Sequence, residues 1–366
     1  MKVIFRTDAS VEIGTGHVMR CLTLADAFRR SGAECIFICR EHKGNFIEQI
    51  RQRGYLVKGL SADANEITFS DLAVSDKSDY SAWLGSEWST DAAETKFVIG
   101  ESIVDWLIVD HYAIDARWEQ ELHSICRKLM VIDDLADRPH DCDLLLDQNL
   151  GRITTDYSSL VPSDCIVLAG PCYALLRPEF AEFRAHSLRR RTTSKIENLL
   201  ITMGGVDQSD ATGKILQSLT DCWLLKDIGI TVVMGSCAPW LERVKLITAK
   251  MPHQPKVMIN VQNMAELMAN SDLAIGAAGS TSWERCSLGL PSLIGVFADN
   301  QKSIANALNL AGAAKKFDGT GELIRNIQDL YNNLELLRSM SAHAAKVTDG
   351  CGTQRVIARF LENGST

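Results

Sequence analysis

The stretch Arg6-Thr7-Asp8-Ala9-Ser10-Val11-Glu12-Ile13-Gly14-Thr15-Gly16-His17 carries the residue best placed to move a proton. It leaves a short apolar strand and runs into a helix headed by His17. Gly14 and Gly16 let backbone approach a ligand closely, and the positive end of a helix favours an anion. The same field favours the neutral imidazole, the form that acts as a base. A histidine hydrogen-bonded locally at a helix start fits the position equally well. The loop is not a dinucleotide fingerprint, because Met19 stands where the third glycine belongs.

Three further groups also follow strand-like runs. Ala277-Ala278-Gly279-Ser280-Thr281-Ser282-Trp283-Glu284 turns from a strand into a helix, offering amides and hydroxyls to a diphosphate. Glu284, one turn in, is placed to accept hydrogen bonds from vicinal ribose hydroxyls, although an ordinary capped helix start reads the same way. Ala298-Asp299-Asn300-Gln301 presents two amides suited to sugar hydroxyls or acetamido groups. Asp110, His111 and Tyr112 close a strand of the first half. Asp133-Asp134 and Asp141-Cys142-Asp143 raise the question of a divalent metal, but neighbouring strand-end side chains point apart and no His/Asp/Glu cluster has ligand spacing. Turns and helix caps account for these acids better, and no metal or cofactor is expected.

The elements that must position these groups are strands in continuous apolar runs, alternating with amphipathic helices. Val3-Ile4-Phe5, Cys35 to Ile38, Trp106 to Val109, Leu129 to Ile132 and Ile166 to Leu168 read as buried parallel strands. Val18, Cys21, Leu22, Ala25 and Phe28 recur at helical spacing between the first two. After a polar stretch from Arg184 to Glu197 the pattern restarts with Asn198 to Met203, followed by Gly204-Gly205. Ile230 to Met234, Val257 to Ile259, Leu273 to Ile275 and Ser292 to Val296 continue it. The expectation is an α/β chain of two doubly wound, Rossmann-like domains, residues 1–190 and 195–350, with a helix at 351–366 of open docking. Ligands of such sheets sit at strand carboxyl ends, here in the cleft between the domains.

Composition agrees with a chain of this kind: 366 residues, 46% apolar and 23% charged, suit two domains of about 150–200 residues. No apolar run is long enough to span a membrane, and the N-terminus reads straight into a strand without a signal segment. The 11 cysteines are scattered without a C-x-x-C pair, which suggests reduced thiols in a cytoplasmic protein. A net charge of −8 argues against nucleic acid. The basic run Arg189-Arg190-Arg191 reads as a solvated linker. The expected partner is a small molecule bound by a monomer.

Taken together, these groups resemble a known family across nearly the whole chain. The resemblance rests on Arg6-Thr7-Asp8-Ala9-Ser10, Ile13-Gly14-Thr15-Gly16-His17-Val18-Met19-Arg20, Asp110-His111-Tyr112 and Ile132-Asp133-Asp134. It continues through His140-Asp141-Cys142-Asp143, Tyr173-Ala174-Leu175-Leu176-Arg177, Met203-Gly204-Gly205-Val206-Asp207 and Asn300-Gln301. The family is that of UDP-2,4-diacetamido-2,4,6-trideoxy-β-L-altropyranose hydrolases of pseudaminic acid biosynthesis. From Met264 through Glu284 and Gly289-Leu290-Pro291 to Gln301, the chain is also similar to the nucleotide-binding half of the peptidoglycan N-acetylglucosaminyltransferase.

The resemblance implies a glycosyltransferase-B-like fold used for metal-independent hydrolysis of a UDP-sugar, in a route to a nonulosonic acid. By it, His17 is the catalytic base, while Tyr112 and Asn300 line the sugar site. Gly14, Gly16, Arg20, Gly204, Gly205 and Gln301 contact the substrate, Gly279, Ser280 and Thr281 cradle the diphosphate, and Glu284 meets the nucleotide. One departure stands out: Asp210 lies seven residues after Met203, where relatives can carry asparagine, and its carboxylate would repel diphosphate. The segment from Leu60 to Thr95 is longer than in the shortest relatives, and its Trp88 and Asp91 receive no role. Neutral His17 would take a proton from water attacking the anomeric carbon, with inversion and departure of UDP. A UDP-sugar glycosyltransferase and a non-catalytic UDP-sugar sensor are the alternatives.

Overall fold

The computed structural model describes residues 1–62, 80–193, 195–220, 222, 224, 226–236, 238–252 and 254–363. It divides into two compact units, Met1–Leu175 with the stretch from Thr353, and Leu176–Gly352.

The first unit is built on β1 (Lys2–Thr7), α1 (Gly16–Arg30), β2 (Glu34–Arg40), α2 (Ile47–Gln52), β3 (Leu56–Leu60), α3 (Trp88–Ile99) and β4 (Val104–Asp110). It continues through α4 (Ala116–Leu122), β5 (Cys126–Ile132), β6 (Leu144–Asp147) and β7 (Ile166–Ala169). The strands form a parallel sheet in the order β3-β2-β1-β4-β5-β6-β7. Alternate residues feed opposite faces, which is why the strands are apolar throughout. Val3, Phe5, Trp106 and Ile108 join α1 in one core, while Ile4, Leu107 and Val109 join α3 and α4 in the other.

The second unit follows with α5 (Pro178–Arg191), β8 (Asn198–Thr202), α6 (Ala211–Leu219), β9 (Gly229–Met234), α7 (Leu241–Lys250), β10 (Lys256–Ile259) and α8 (Met264–Ala269). Next come β11 (Leu273–Ala277), α9 (Thr281–Ser287), β12 (Ser292–Gly295), α10 (Gln301–Leu310), β13 (Lys315–Lys316), α11 (Thr320–Asn332) and α12 (Leu334–Val347). Its parallel sheet has the order β10-β9-β8-β11-β12-β13.

Two boundaries differ from the sequence reading. The expected first domain, residues 1–190, includes nearly all of α5, but α5 packs on α8, α9 and α12 of the second unit. The helix of open docking, α13 (Gly352–Asn363), returns to the first unit. Phe360 meets Phe28 and Trp106 edge-on, at centroid distances of 4.7 and 4.3 Å.

The arginine run is not a solvated linker. Arg191 is buried, and its guanidinium donates to the carbonyls of Leu288, Ser271 and Met268 at 3.0, 2.8 and 3.0 Å, closing the ends of α9 and α8. Burial lowers it to about 9. Arg190 pairs with Asp272 at 2.6 Å, and Arg184 binds the carbonyls of Ala345, Thr348 and Ser287. No described helix is long and apolar enough to cross a membrane.

Candidate active site

In the first sheet the strand order reverses between β1 and β4, the place where doubly wound sheets open a crevice for ligands. Register pairs Thr7 at the end of β1 with Asp110 at the end of β4. Beyond Thr7 the chain makes a tight turn: Gly14, at φ +78°, donates to the Ser10 carbonyl at 2.9 Å, and the Ser10 hydroxyl accepts the amides of Glu12 and Ile13. Gly16 then opens α1, which brings His17 against the end of β4.

His17 Nδ1 lies 2.6 Å from Asp110 Oδ1. Burial alone would raise the Asp110 carboxyl, but Arg20 and His17 outweigh it and hold it below the usual carboxylate range. An ionised oxygen at that distance accepts a hydrogen bond from Nδ1–H, so in the neutral ring Nε2 carries the lone pair. Arg20 Nε and Nη2 donate to Asp110 at 2.6 and 2.7 Å, and Nη1 donates to Asp134 at 2.6 Å. The Tyr112 hydroxyl donates to Asp134 at 3.0 Å, and its ring meets His17 edge-on at 4.6 Å. His17, Arg20 and Tyr112 are thus one constellation, with Asp110 and Asp134 as its anions. The Arg20 guanidinium is directed to two carboxylates and holds the histidine's partner in place.

Between Asp110 and Tyr112 the strand alternation turns His111 the other way. Its Nδ1 accepts the Ala113 amide at 3.0 Å and Nε2 faces Asp8 at 3.4 Å, while burial lowers it to about 3, so the ring is neutral. Asp8 also pairs with Arg6 at 2.7 Å, and Arg6 with Asp91 at 2.6 Å. Asp91 further accepts from Arg40 at 2.7 Å and from the Trp118 indole at 2.9 Å. Asp91, given no role from sequence, is therefore the anion that fastens α3 beneath the site. Part of the segment that held it, residues 63–79, lies outside the described residues.

The remaining acids have structural work. Asp133 accepts the Ala136 amide, the Tyr157 hydroxyl and Arg138 at 2.8, 2.8 and 2.9 Å. Asp143 takes Lys128 and the Leu129 amide at 2.7 and 2.8 Å.

The second sheet reverses between β8 and β11, and β12 lies beside β11. Gly204-Gly205 after β8, Gly279-Ser280-Thr281 after β11 and Asn300-Gln301 after β12 therefore occupy three adjacent strand ends. Gly204 has φ +96°, and a Cβ at Gly204 or Gly279 would meet no atom within 4 Å. The Gly205 carbonyl lies so close to Gly235 that a Cβ there would sit 2.2 Å from it. Within the turn, Ser282 and Trp283 donate to Gly279 and Ser280 at 2.9 and 3.1 Å, so the amides that can face a ligand are those of Gly279, Ser280 and Thr281. Glu284 is partly exposed, and burial pushes its carboxyl up to about 7 against the opposing pull of Arg177 and Arg285.

Asn300, grouped by the sequence reading with His17 and Tyr112, lies in the second unit as the cap residue of α10, whereas those two lie in the first. The Gln301 amide oxygen accepts the Phe297 amide at 3.0 Å, which closes the loop that carries it. Asp210 adopts φ +54° and faces Arg243 at 3.0 Å, while Asp207 takes the Ala211 and Thr212 amides at the start of α6.

Residues 199–353 match the glycosyltransferase family 28 C-terminal domain. The chain is 28% identical to the UDP-2,4-diacetamido-2,4,6-trideoxy-β-L-altropyranose hydrolase of Campylobacter jejuni subsp. jejuni, over 85% of this chain and 97% of that protein. It is 26% identical to an uncharacterised protein of Methanocaldococcus jannaschii over 80% of its own length, spanning only 55% of that relative. Among solved structures, MurG of Acinetobacter baumannii superposes with a TM-score of 0.65 at 14% identity, with 99% of each chain covered. The fold is two Rossmann-like α/β domains of the glycosyltransferase-B-like kind, and the chain resembles the altropyranose hydrolase along most of its length.

Proposed function

We propose that this protein hydrolyses a UDP-linked 2,4-diacetamido-2,4,6-trideoxyhexose at its anomeric carbon, releasing UDP and the free sugar. The observation that carries this reading is the 2.6 Å contact between His17 Nδ1 and the ionised Asp110. It leaves Nε2 as a proton acceptor beside Tyr112. Water attacks the anomeric carbon as Nε2 takes its proton, and the bond from that carbon to the β-phosphate oxygen breaks in the same step. A single displacement inverts the configuration. Positive charge on the sugar ring is greatest at the transition state, and the departing diphosphate is met by the amides of Gly279, Ser280 and Thr281.

A UDP-sugar glycosyltransferase is the second reading, favoured by the family 28 match over residues 199–353. The two separate cleanly. Purified protein given the UDP-linked diacetamido sugar alone is expected to release UDP. Release that appears only when a hydroxyl acceptor is added identifies a transferase, and tight binding without release identifies a sensor.

Asp110, Asp133, Asp134 and Asp143 already have cationic partners, and the diphosphate charge is assigned to backbone amides. Turnover is therefore expected to persist after EDTA treatment and dialysis. Loss of activity restored by Mg²⁺ or Mn²⁺ overturns that expectation.

Glu284 gives a test of nucleotide binding that needs no sugar. Losing hydrogen bonds from a carboxylate to ribose hydroxyls in Glu284→Ala is expected to cost about 1.5–3 kcal/mol, roughly 10- to 150-fold in UDP affinity. The free carboxyl sits at about 7, and donation from ribose stabilises its ionised form. Binding therefore expels a proton below pH 7, and affinity rises with pH up to that point. Uridine, which lacks a phosphate titrating near 6, isolates the effect. Calorimetry should find the slope in the parent protein and a flat profile in Glu284→Gln; equal slopes in both would remove Glu284 from the nucleotide site.

A further inference from the structure

Beside the His17–Asp110 pair, Tyr112 is joined by two aromatic side chains that the proposed reaction does not yet use, Tyr80 and Trp83. Trp83 lies stacked against Tyr112 at a centroid distance of 5.7 Å and an interplanar angle of 21°. Tyr80 meets Trp83 edge-on at 4.7 Å and Tyr112 at 5.0 Å. Tyr112 in turn touches the His17 ring at 4.6 Å. Tyr112 is buried, at 6% exposure, whereas Tyr80 and Trp83 keep part of their surface open. The two cores of this unit are assembled from other residues.

The cluster is held firmly. Trp83 belongs to a short turn of helix, Ser81–Leu84, whose Leu84 is anchored in the core of the α3 face. The following Gly85 has φ +70°, and a Cβ there would sit 2.6 Å from the His42 ring. One helix further, Asp91 binds Arg6, Arg40 and Trp118 in the sheet and α4. This segment is thus fastened at two points, with its aromatic rings on the histidine's side.

We propose that Trp83 and Tyr80 form the wall against which the apolar face of the sugar packs, selecting N-acylated deoxy sugars over fully hydroxylated ones. This rests on the hydrolase reading and names a specificity surface for it. Aromatic faces favour C–H and methyl groups, and they gain most from a ligand that displaces water from both sides. A hexose carrying two acetamido groups and a 6-methyl presents three methyls where glucose presents hydroxyls. Trp83 and Tyr80 both touch Tyr112, the ring that touches the proposed base, and the cluster contains no ionised group that would need the phosphates.

The experiment compares parent protein, Trp83→Phe, Trp83→Ala and Tyr80→Ala, each checked for an unchanged melting temperature. Turnover and calorimetric binding are measured with UDP, the UDP-linked diacetamido trideoxyhexose and UDP-glucose. The expected result for Trp83→Ala is a KM about 10-fold higher for the diacetamido substrate, a small change in kcat and unchanged UDP affinity. Its preference over UDP-glucose should shrink by a similar factor, with Trp83→Phe recovering most of it. Should the parent fail to hydrolyse, the extra affinity of the diacetamido nucleotide over UDP, lost in Trp83→Ala, still supports the wall while the hydrolase reading falls. The proposal is overturned if Trp83→Ala keeps parental KM and selectivity. It is equally overturned if the variant loses UDP affinity by the same factor as sugar affinity.

Discussion

Replacing His17 with asparagine or leucine is expected to lower kcat by about 10²–10⁴ while changing UDP affinity little. The asymmetry follows from where the residue sits. His17 belongs to the first unit and is bound to Asp110, whereas the turn assigned to the diphosphate and Glu284 belongs to the second. Asp110→Asn is expected to lose rate as well, by a distinct route. Both Asp110 oxygens accept hydrogen bonds, Oδ1 from His17 and Arg20, Oδ2 from Arg20 Nε. An amide supplies one oxygen and must turn its NH2 toward one of these donors. Facing His17, it drives the proton to Nε2 and removes the base. Single-turnover rates and UDP titration of both variants decide the matter, and a His17→Asn protein with near-parental turnover would falsify the general-base assignment.

The largest stability effect is expected at Arg191. Its side chain is buried with three carbonyl acceptors from the ends of two helices. Arg191→Ala removes a charged donor from all three, leaving Leu288 with the Ser187 hydroxyl, Ser271 with Arg190 and Met268 with the Ser271 amide, and opens the space the guanidinium filled. A cost of about 2–4 kcal/mol is expected, lowering the melting temperature of the second unit by about 10 °C. Arg191→Lys should recover only part, since one ammonium cannot reproduce a planar fork. Arg189, exposed two positions earlier, provides the control, with Arg189→Ala within about 0.5 kcal/mol of the parent. Equal melting of the two alanine variants sinks the clamp and restores the solvated linker.

That pair of arginines also shows where sequence reading stops. Three consecutive arginines look solvated because nothing local offers them a partner, and the acceptors of Arg191 come from 77 to 97 residues away. Long β-branched runs such as Val104–Asp110 and Gly229–Met234 announced themselves as strands. The missed strands lacked that signature: β3 is an edge strand broken by Lys58 and Gly59, β6 is a leucine run with weak strand preference, and β13 is two lysines.

His17 was legible because a glycine turn and a helix start bracket it. Asp110, His111 and Tyr112 were visible as a group, but sequence alone did not divide their tasks. Strand alternation did: Asp110 and Tyr112 face His17, while His111 turns to Asp8. Asp91 was illegible for the same reason as Arg191, since its partner Arg6 is 85 residues distant.

The return of α13 to the first unit makes the second unit an insertion in topological terms. The face of the first sheet lined by Phe28 and Trp106 is closed by Phe360, near the end of the chain. During vectorial synthesis the ribosome therefore delivers a first unit with one apolar flank unroofed, then an entire second domain, and only afterwards the helix that roofs it. Whatever shields that flank in the interval, the first unit reaches its native core only after the whole of the second unit has been synthesised, so its maturation is timed by residues on the far side of another domain.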